Sequence, residues 1–231
     1  MKICNLIIME YIEQKYNFLC KRSSDINEHL PTLCKYASKC ESVAELGVRG
    51  VISTWALVYG LLKNGKEKKT ILLNDIVPCN IEEVLEKTKD LDIKVTYEWK
   101  NDLHLELNEN VDLTFIDTWH VYGQLRRELD KFSKITNKYI IMHDTTLDEW
   151  KGETMRRTSY SMKNMLGRLD GYDYRKNKLA MQQSKETNIP IQEIVIGLWP
   201  AIVEFLLKNK NWRLKERYIN NNGLTILEKL Q

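Results

Sequence analysis

At 231 residues the chain is long enough to bury one sizeable core without help from disulfides. Its 35 basic and 32 acidic residues nearly balance, and the net charge of +3 gives no long-range field for nucleic acid or an anionic membrane. Cys4, Cys20, Cys34, Cys40 and Cys79 form no CxxC pair, which points to reduced thiols in a cytoplasmic setting. Residues 3–9 are apolar but too few for a membrane span, and Glu10, Glu13 and Lys15 follow at once, so neither a signal nor an anchor is expected.

Residues 1–41 read as a helical lead-in, with helices over 7–19 and 26–38 and a cap at Ser24 or Asp25. From residue 42 the pattern alternates. Strands are expected at 43–46, 70–74, 93–97, 112–116 and 138–142, with helices at 53–62, 81–89 and 124–133 between them. Repeated βα units with apolar strands imply a parallel α/β sheet covered by helices on both faces. A polar stretch at about 149–190 interrupts the alternation and reads as a lid over the cleft. A helix at 200–208 follows, then strands at 212–219 and 224–228 joined by Asn220-Asn221-Asn222-Gly223, an antiparallel hairpin. The domain would therefore run from 42 to 231, with the lid inserted in it.

Two strands run straight into aspartate–histidine clusters. The first ends in Asp117-Thr118-Trp119-His120 and the second in His143-Asp144-Thr145. In an open parallel sheet ligands bind outside the carboxyl ends of the strands, so both clusters should face one cleft. The turn Glu45-Leu46-Gly47-Val48-Arg49-Gly50 lies at the first strand end and could cradle a nucleotide-like ligand or be a plain tight turn; it is not a GxGxxG. Asp75, at the second strand tip, suits the hydroxyls of a ribose or caps the next helix. Asn101-Asp102 could reach an adenine amino group or only close a turn. Trp119 and Tyr122 could stack on a ring or pack in the interior. Arg156, Arg157, Arg168 and Arg175, in the lid, could clamp a phosphate or carry solvated charge.

Taken together, Glu45-x-Gly47 with Ser53-Thr54, Asp75, Asn101-Asp102, the Phe115-Ile116-Asp117-x-x-His120 block, His143-Asp144-Thr145 and the terminal hairpin resemble class I S-adenosylmethionine-dependent methyltransferases. The branch they resemble contains macrolide-sugar O-methyltransferases and cephalosporin hydroxylase-like proteins. The resemblance implies a Rossmann-like, mostly parallel sheet of seven strands with the last antiparallel. It implies that Glu45 and the turn Gly47, Val48, Arg49 and Gly50 hold the aminoacyl part of S-adenosylmethionine, with Ser53 and Thr54 on its carboxylate. Asp75 would take the ribose, Asp102 the adenine, and Asp117 would face the cofactor as well. Asp117 and Asp144 match two of the family's three cation ligands; the third position, usually acidic or Asn, is His143, which disfavours magnesium and favours manganese. His120 matches the general base, a neutral imidazole taking the proton of a sugar-type hydroxyl.

The function expected is O-methylation of a sugar, nucleotide sugar or glycosylated small molecule. The expected partner is thus a small molecule, with no nucleic acid or membrane and with homo-oligomerisation left open. Two rivals use the same residues: a non-haem iron oxygenase built on the His/Asp cluster, and a cofactor-binding subunit without catalysis.

Overall fold

The computed structural model describes residues 2–157 and 177–230, with side chains from residue 6. The strands are β1 Ser42–Leu46, β2 Lys69–Asp75, β3 Ile93–Trp99, β4 Val111–Ile116, β5 Thr136–His143, β6 Trp212–Tyr218 and β7 Leu224–Lys229. They form one sheet in the order β3-β2-β1-β4-β5-β7-β6. β1 to β5 are parallel, β7 is antiparallel to β5, and β6 closes the edge as its hairpin partner. The strands begin and end within a few residues of the expected positions.

Side chains alternate across the strands and divide the interior in two. Val43, Ile71, Leu73, Leu113, Phe115, Ile141 and Ile226 face helices α1 Lys2–Lys21, α2 Leu30–Ala37 and α3 Ile52–Leu62. Leu46, Ile116, Ile140, Met142 and Leu227 face the other side, against a helix at Tyr122–Phe132 and another at Leu198–Lys208. The lead-in belongs to the first core: Ile12, Leu30, Leu33 and Tyr36 are fully buried there. Each such aliphatic side chain contributes about 1.5–3 kcal/mol, so the lead-in stabilises the sheet.

Of the expected lid, the described residues form short helices at Glu153–Arg157 and Lys178–Thr187, the second capped by the Asn177 side chain, which accepts from the Ala180 N–H at 3.1 Å. Arg168 and Arg175 lie outside the described residues. Among the described residues, no helix is long and apolar enough to cross a membrane.

Candidate active site

β1 and β4 are neighbours although β2 and β3 lie between them in sequence, and their carboxyl ends open the crevice where strand order reverses. Gly47, at φ +90°, closes the end of β1; a Cβ there would lie 1.9 Å from the Asp117 carbonyl oxygen. The glycine is therefore required by the approach of two protein backbones. The Asp75 carboxylate accepts from the Val48 and Arg49 N–H groups at 2.9 and 2.8 Å and from the Val77 N–H at 2.9 Å. Here the acid expected to hold a ribose holds the turn itself. The Arg49 side chain leaves the cleft for Asp25 of the lead-in, 2.5 Å away, and the space beside Gly50 holds only the Ile52 side chain.

Glu45 is fully buried, and Ser53 Oγ and Thr54 Oγ1 donate to it at 2.5 and 2.7 Å. Both hydroxyls turn inward, whereas the sequence reading placed them on a ligand carboxylate. Burial pushes the Glu45 carboxyl up to about 8, against the lowering by the two hydroxyls.

Asp102 also faces inward. Gln124 Nε2 donates to it at 3.0 Å and to Glu128 at 2.8 Å, and Thr118 Oγ1 donates to Glu128 at 2.5 Å. Burial raises both acids, Glu128 well above the ordinary range, so Glu128 carries the proton of the pair. The carboxylate expected at the adenine is thus engaged with the helix Tyr122–Phe132.

The two strand-end clusters do converge. His120 Nε2 lies 3.1 Å from Asp117 Oδ1; its Nδ1 lies 3.0 Å from Asp144 Oδ2, 3.3 Å from Asp148 Oδ2 and 3.8 Å from Glu153 Oε2. Asp148 is held by Arg156, whose Nε and Nη2 donate at 3.0 and 2.7 Å, and Glu153 by Arg157 at 2.5 Å. Burial opposes a charge on His120, but hydrogen bonds to Asp117 and Asp148 and the nearby Asp144 outweigh it and raise the imidazole well above its ordinary value. Conversely, burial would raise Asp117, yet the two imidazoles hold it far below the usual carboxylate range. Without a ligand these carboxylates thus favour the charged form of His120, whereas the proposed base acts as a neutral ring. Asp148 and Glu153 are site residues that sequence reasoning missed.

His143 Nδ1 points between Asp117 Oδ2 at 3.5 Å and Asp144 Oδ1 at 3.7 Å. His143 Nδ1 and Asp144 Oδ1 are buried atoms with no hydrogen-bond partner, a costly state that a ligand would relieve. One donor atom each from Asp117, His143 and Asp144 lie within 4.8 Å of one another. Asp144 sits at φ +56°, a strained conformation for a residue with a side chain. Two carboxylates and one imidazole suit a divalent ion of intermediate hardness better than magnesium.

Trp119 packs against Val121, Ala180, Ile189 and Ile194, and Tyr122 against the second core with its hydroxyl on Glu204. Both are packing residues here, and Arg156 and Arg157 serve acids of the site.

No protein-family model matches the chain, and no curated protein sequence does. Solved structures do match. The SAH-bound methyltransferase PaMTH1 of Podospora anserina superposes with a TM-score of 0.53 at 13% identity, over 99% of this chain and 88% of that one. The O-methyltransferase TomG of Streptomyces achromogenes, in complex with SAM, gives 0.53 at 10% identity over 97% and 90%. An O-methyltransferase of Bacillus cereus in complex with SAH gives 0.51 at 14% identity over 96% and 90%. The chain has the fold of the class I S-adenosylmethionine-dependent methyltransferases.

Proposed function

We propose that the chain is a cytoplasmic S-adenosylmethionine-dependent O-methyltransferase acting on a hydroxyl of a sugar, nucleotide sugar or glycosylated small molecule. The observation that carries this reading is His120 beside Asp117 at the β1/β4 switch point, next to the unpartnered donors of His143 and Asp144.

S-adenosylmethionine supplies the methyl group, and the turn Gly47 to Gly50, Glu45 with Ser53 and Thr54, Asp75, Asp102 and Asp117 are the residues that would hold it. For Glu45, Ser53, Thr54 and Asp102 this requires side chains now bonded to protein side chains to turn outward on binding, and for Asp75 a carboxylate now on backbone N–H groups. As the new O–CH3 bond forms and the S–CH3 bond breaks, the hydroxyl proton passes to His120, leaving S-adenosylhomocysteine and the methyl ether. Holding donor and acceptor in line contributes about 7–11 kcal/mol of the barrier reduction.

Asp117, His143 and Asp144 would hold a manganese-like ion, which would supply Lewis acidity toward the acceptor hydroxyl. To act as the base, His120 must be in its neutral form, so Asp117, Asp144 and Asp148, which favour the charged ring, set the pH at which it can take the proton. The iron-oxygenase reading is not favoured, since the fold is that of the methyltransferases.

Calorimetry of the full chain with S-adenosylmethionine, in the presence of manganese or magnesium, tests the donor and the ion; release of S-adenosylhomocysteine with a panel of hydroxylated sugars tests the acceptor. Binding of the donor, strengthened or made productive by manganese more than by magnesium, is expected. A chain that binds no S-adenosylmethionine under any of these conditions would refute the reading.

A further inference from the structure

His143 is held from behind as firmly as it is aimed in front. Its Nε2 lies 3.2 Å from the carbonyl oxygen of Asn221, in the turn between β6 and β7. A carbonyl only accepts, so Nε2 carries the hydrogen, and in the neutral ring Nδ1 is left with its lone pair toward Asp117 and Asp144.

That turn is an unusual place for a fixed carbonyl. Asn221, Asn222 and Gly223 follow one another at φ +42°, +67° and +93°. It is held by donors from elsewhere in the chain. The lead-in contributes His29, whose Nε2 lies 2.9 Å from the Asn220 carbonyl and 3.1 Å from that of Asn221. The Asn221 side chain donates to the Ser24 carbonyl at 2.9 Å and accepts from the Glu28 N–H at 3.1 Å. On the cleft side, the Asn222 carbonyl accepts from the Thr146 and Leu147 N–H groups, both at 2.9 Å, just after Asp144. His29 is 99% buried and its ring meets that of His143 edge-on at 5.8 Å. Two imidazole N–H groups thus share one carbonyl oxygen, one from the lead-in and one from the site.

We propose that His29 is a positioning residue for the cation site: by fixing the 220–223 turn it keeps the Asn221 carbonyl on His143 Nε2–H and so reserves His143 Nδ1 for the metal. The proposal rests on the cation reading above. Partners behind a metal-ligating histidine set its tautomer and orientation, and their loss typically weakens metal binding about 10- to 100-fold. Without His29, the Asn220 and Asn221 carbonyls each lose one donor, the turn relaxes, and His143 gains access to the Nδ1–H tautomer, whose Nδ1 cannot ligate.

Two readouts test this on the full chain, and they fail separately. The first needs no metal: long-range 1H–15N NMR of histidine-labelled protein at alkaline pH reports the tautomer of each of the four histidines. The native His143 should be the Nε2–H form, and His29→Ala should give a mixture. The second is manganese affinity by calorimetry, expected to fall about 10- to 100-fold in His29→Ala with S-adenosylmethionine affinity unchanged. His29→Gln, whose amide can donate to the same carbonyls, should recover most of it. If His29→Ala does not fold, Asn221→Gly carries the test, since it keeps the carbonyl and the positive φ but cuts the ties to Ser24 and Glu28; its manganese affinity should also drop. A folded His29→Ala with native tautomer or native manganese affinity overturns the proposal while leaving the cation reading standing. A native chain that shows the Nε2–H tautomer but binds no manganese overturns the cation reading, and the proposal with it.

Discussion

Replacing Glu45 by glutamine removes a fully buried carboxyl near the end of β1 and exposes its energetic role. In the folded chain this carboxyl stays protonated up to a pH of about 8, whereas an ordinary glutamate ionises near 4.5. Between those values the folded state binds a proton that the unfolded state has released. Stability therefore falls as pH rises through this window and the full cost is reached above it. At about 1.36 kcal/mol per pH unit, roughly 3 kcal/mol separate pH 5 from pH 8. Glutamine has no such dependence and still presents an oxygen to Ser53 and Thr54. Urea unfolding of both proteins at the two pH values should find Glu45→Gln more stable than the native chain at pH 8 and close to it at pH 5. In a domain of this size the gap corresponds to roughly 6–12 °C in Tm. Parallel stability profiles for the two proteins between pH 5 and 8 would refute the assignment of a buried neutral carboxyl.

Gly47→Ala should be among the most destabilising single changes, since the new Cβ would sit 1.9 Å from a backbone oxygen at a positive φ; a thermal scan within a few degrees of native would contradict this account of the β1/β4 contact. His120→Ala should lower kcat by about 10²- to 10⁴-fold while S-adenosylmethionine still binds, and full turnover would remove His120 as the base. The same variant leaves Asp117, Asp144 and Asp148 without their shared cation, so its stability should fall most at neutral to alkaline pH and least in acid, where those carboxylates are protonated.

The fold was legible because strand and helix signals agreed locally. Residues such as Val43, Ile71, Leu113 and Ile141 belong to short apolar runs bounded by turn residues, and burial on both faces of a parallel sheet selects such runs. The Asn220–Gly223 turn was equally plain, because a succession of left-handed residues demands Asn and Gly. Asp148 and Glu153 carried no comparable mark. They come from a polar stretch with no period, and reach the site because the chain folds back after Asp144, with the Asp148 N–H on the Asp144 carbonyl at 3.1 Å. Glu128 did leave a trace: it stands on the inward face of its helix beside Leu125, Leu129 and Phe132, where an acid demands a partner.

What sequence could not supply was charge state, and this is where the site differs most from its expectation. His120 lies just past the strand tip, as its offset from Asp117 implies, but a protonation state depends on how many carboxylates surround the ring, and two of them, Asp148 and Glu153, arrive from the chain after β5. The same holds in reverse for Glu45 and Asp75, whose acid labels suggested ligand contacts although their nearest donors belong to the protein. In the ligand-free cleft the Glu45 and Asp75 carboxylates are thus satisfied by protein donors, whereas Asp102 Oδ2, His143 Nδ1 and Asp144 Oδ1 are buried without a hydrogen-bond partner. Binding should begin where buried donors have no partner. Asp117 and Asp144 face both His120 and His143, so a cation held there would share its ligands with the proposed base, and metal and acceptor should prove interdependent in turnover.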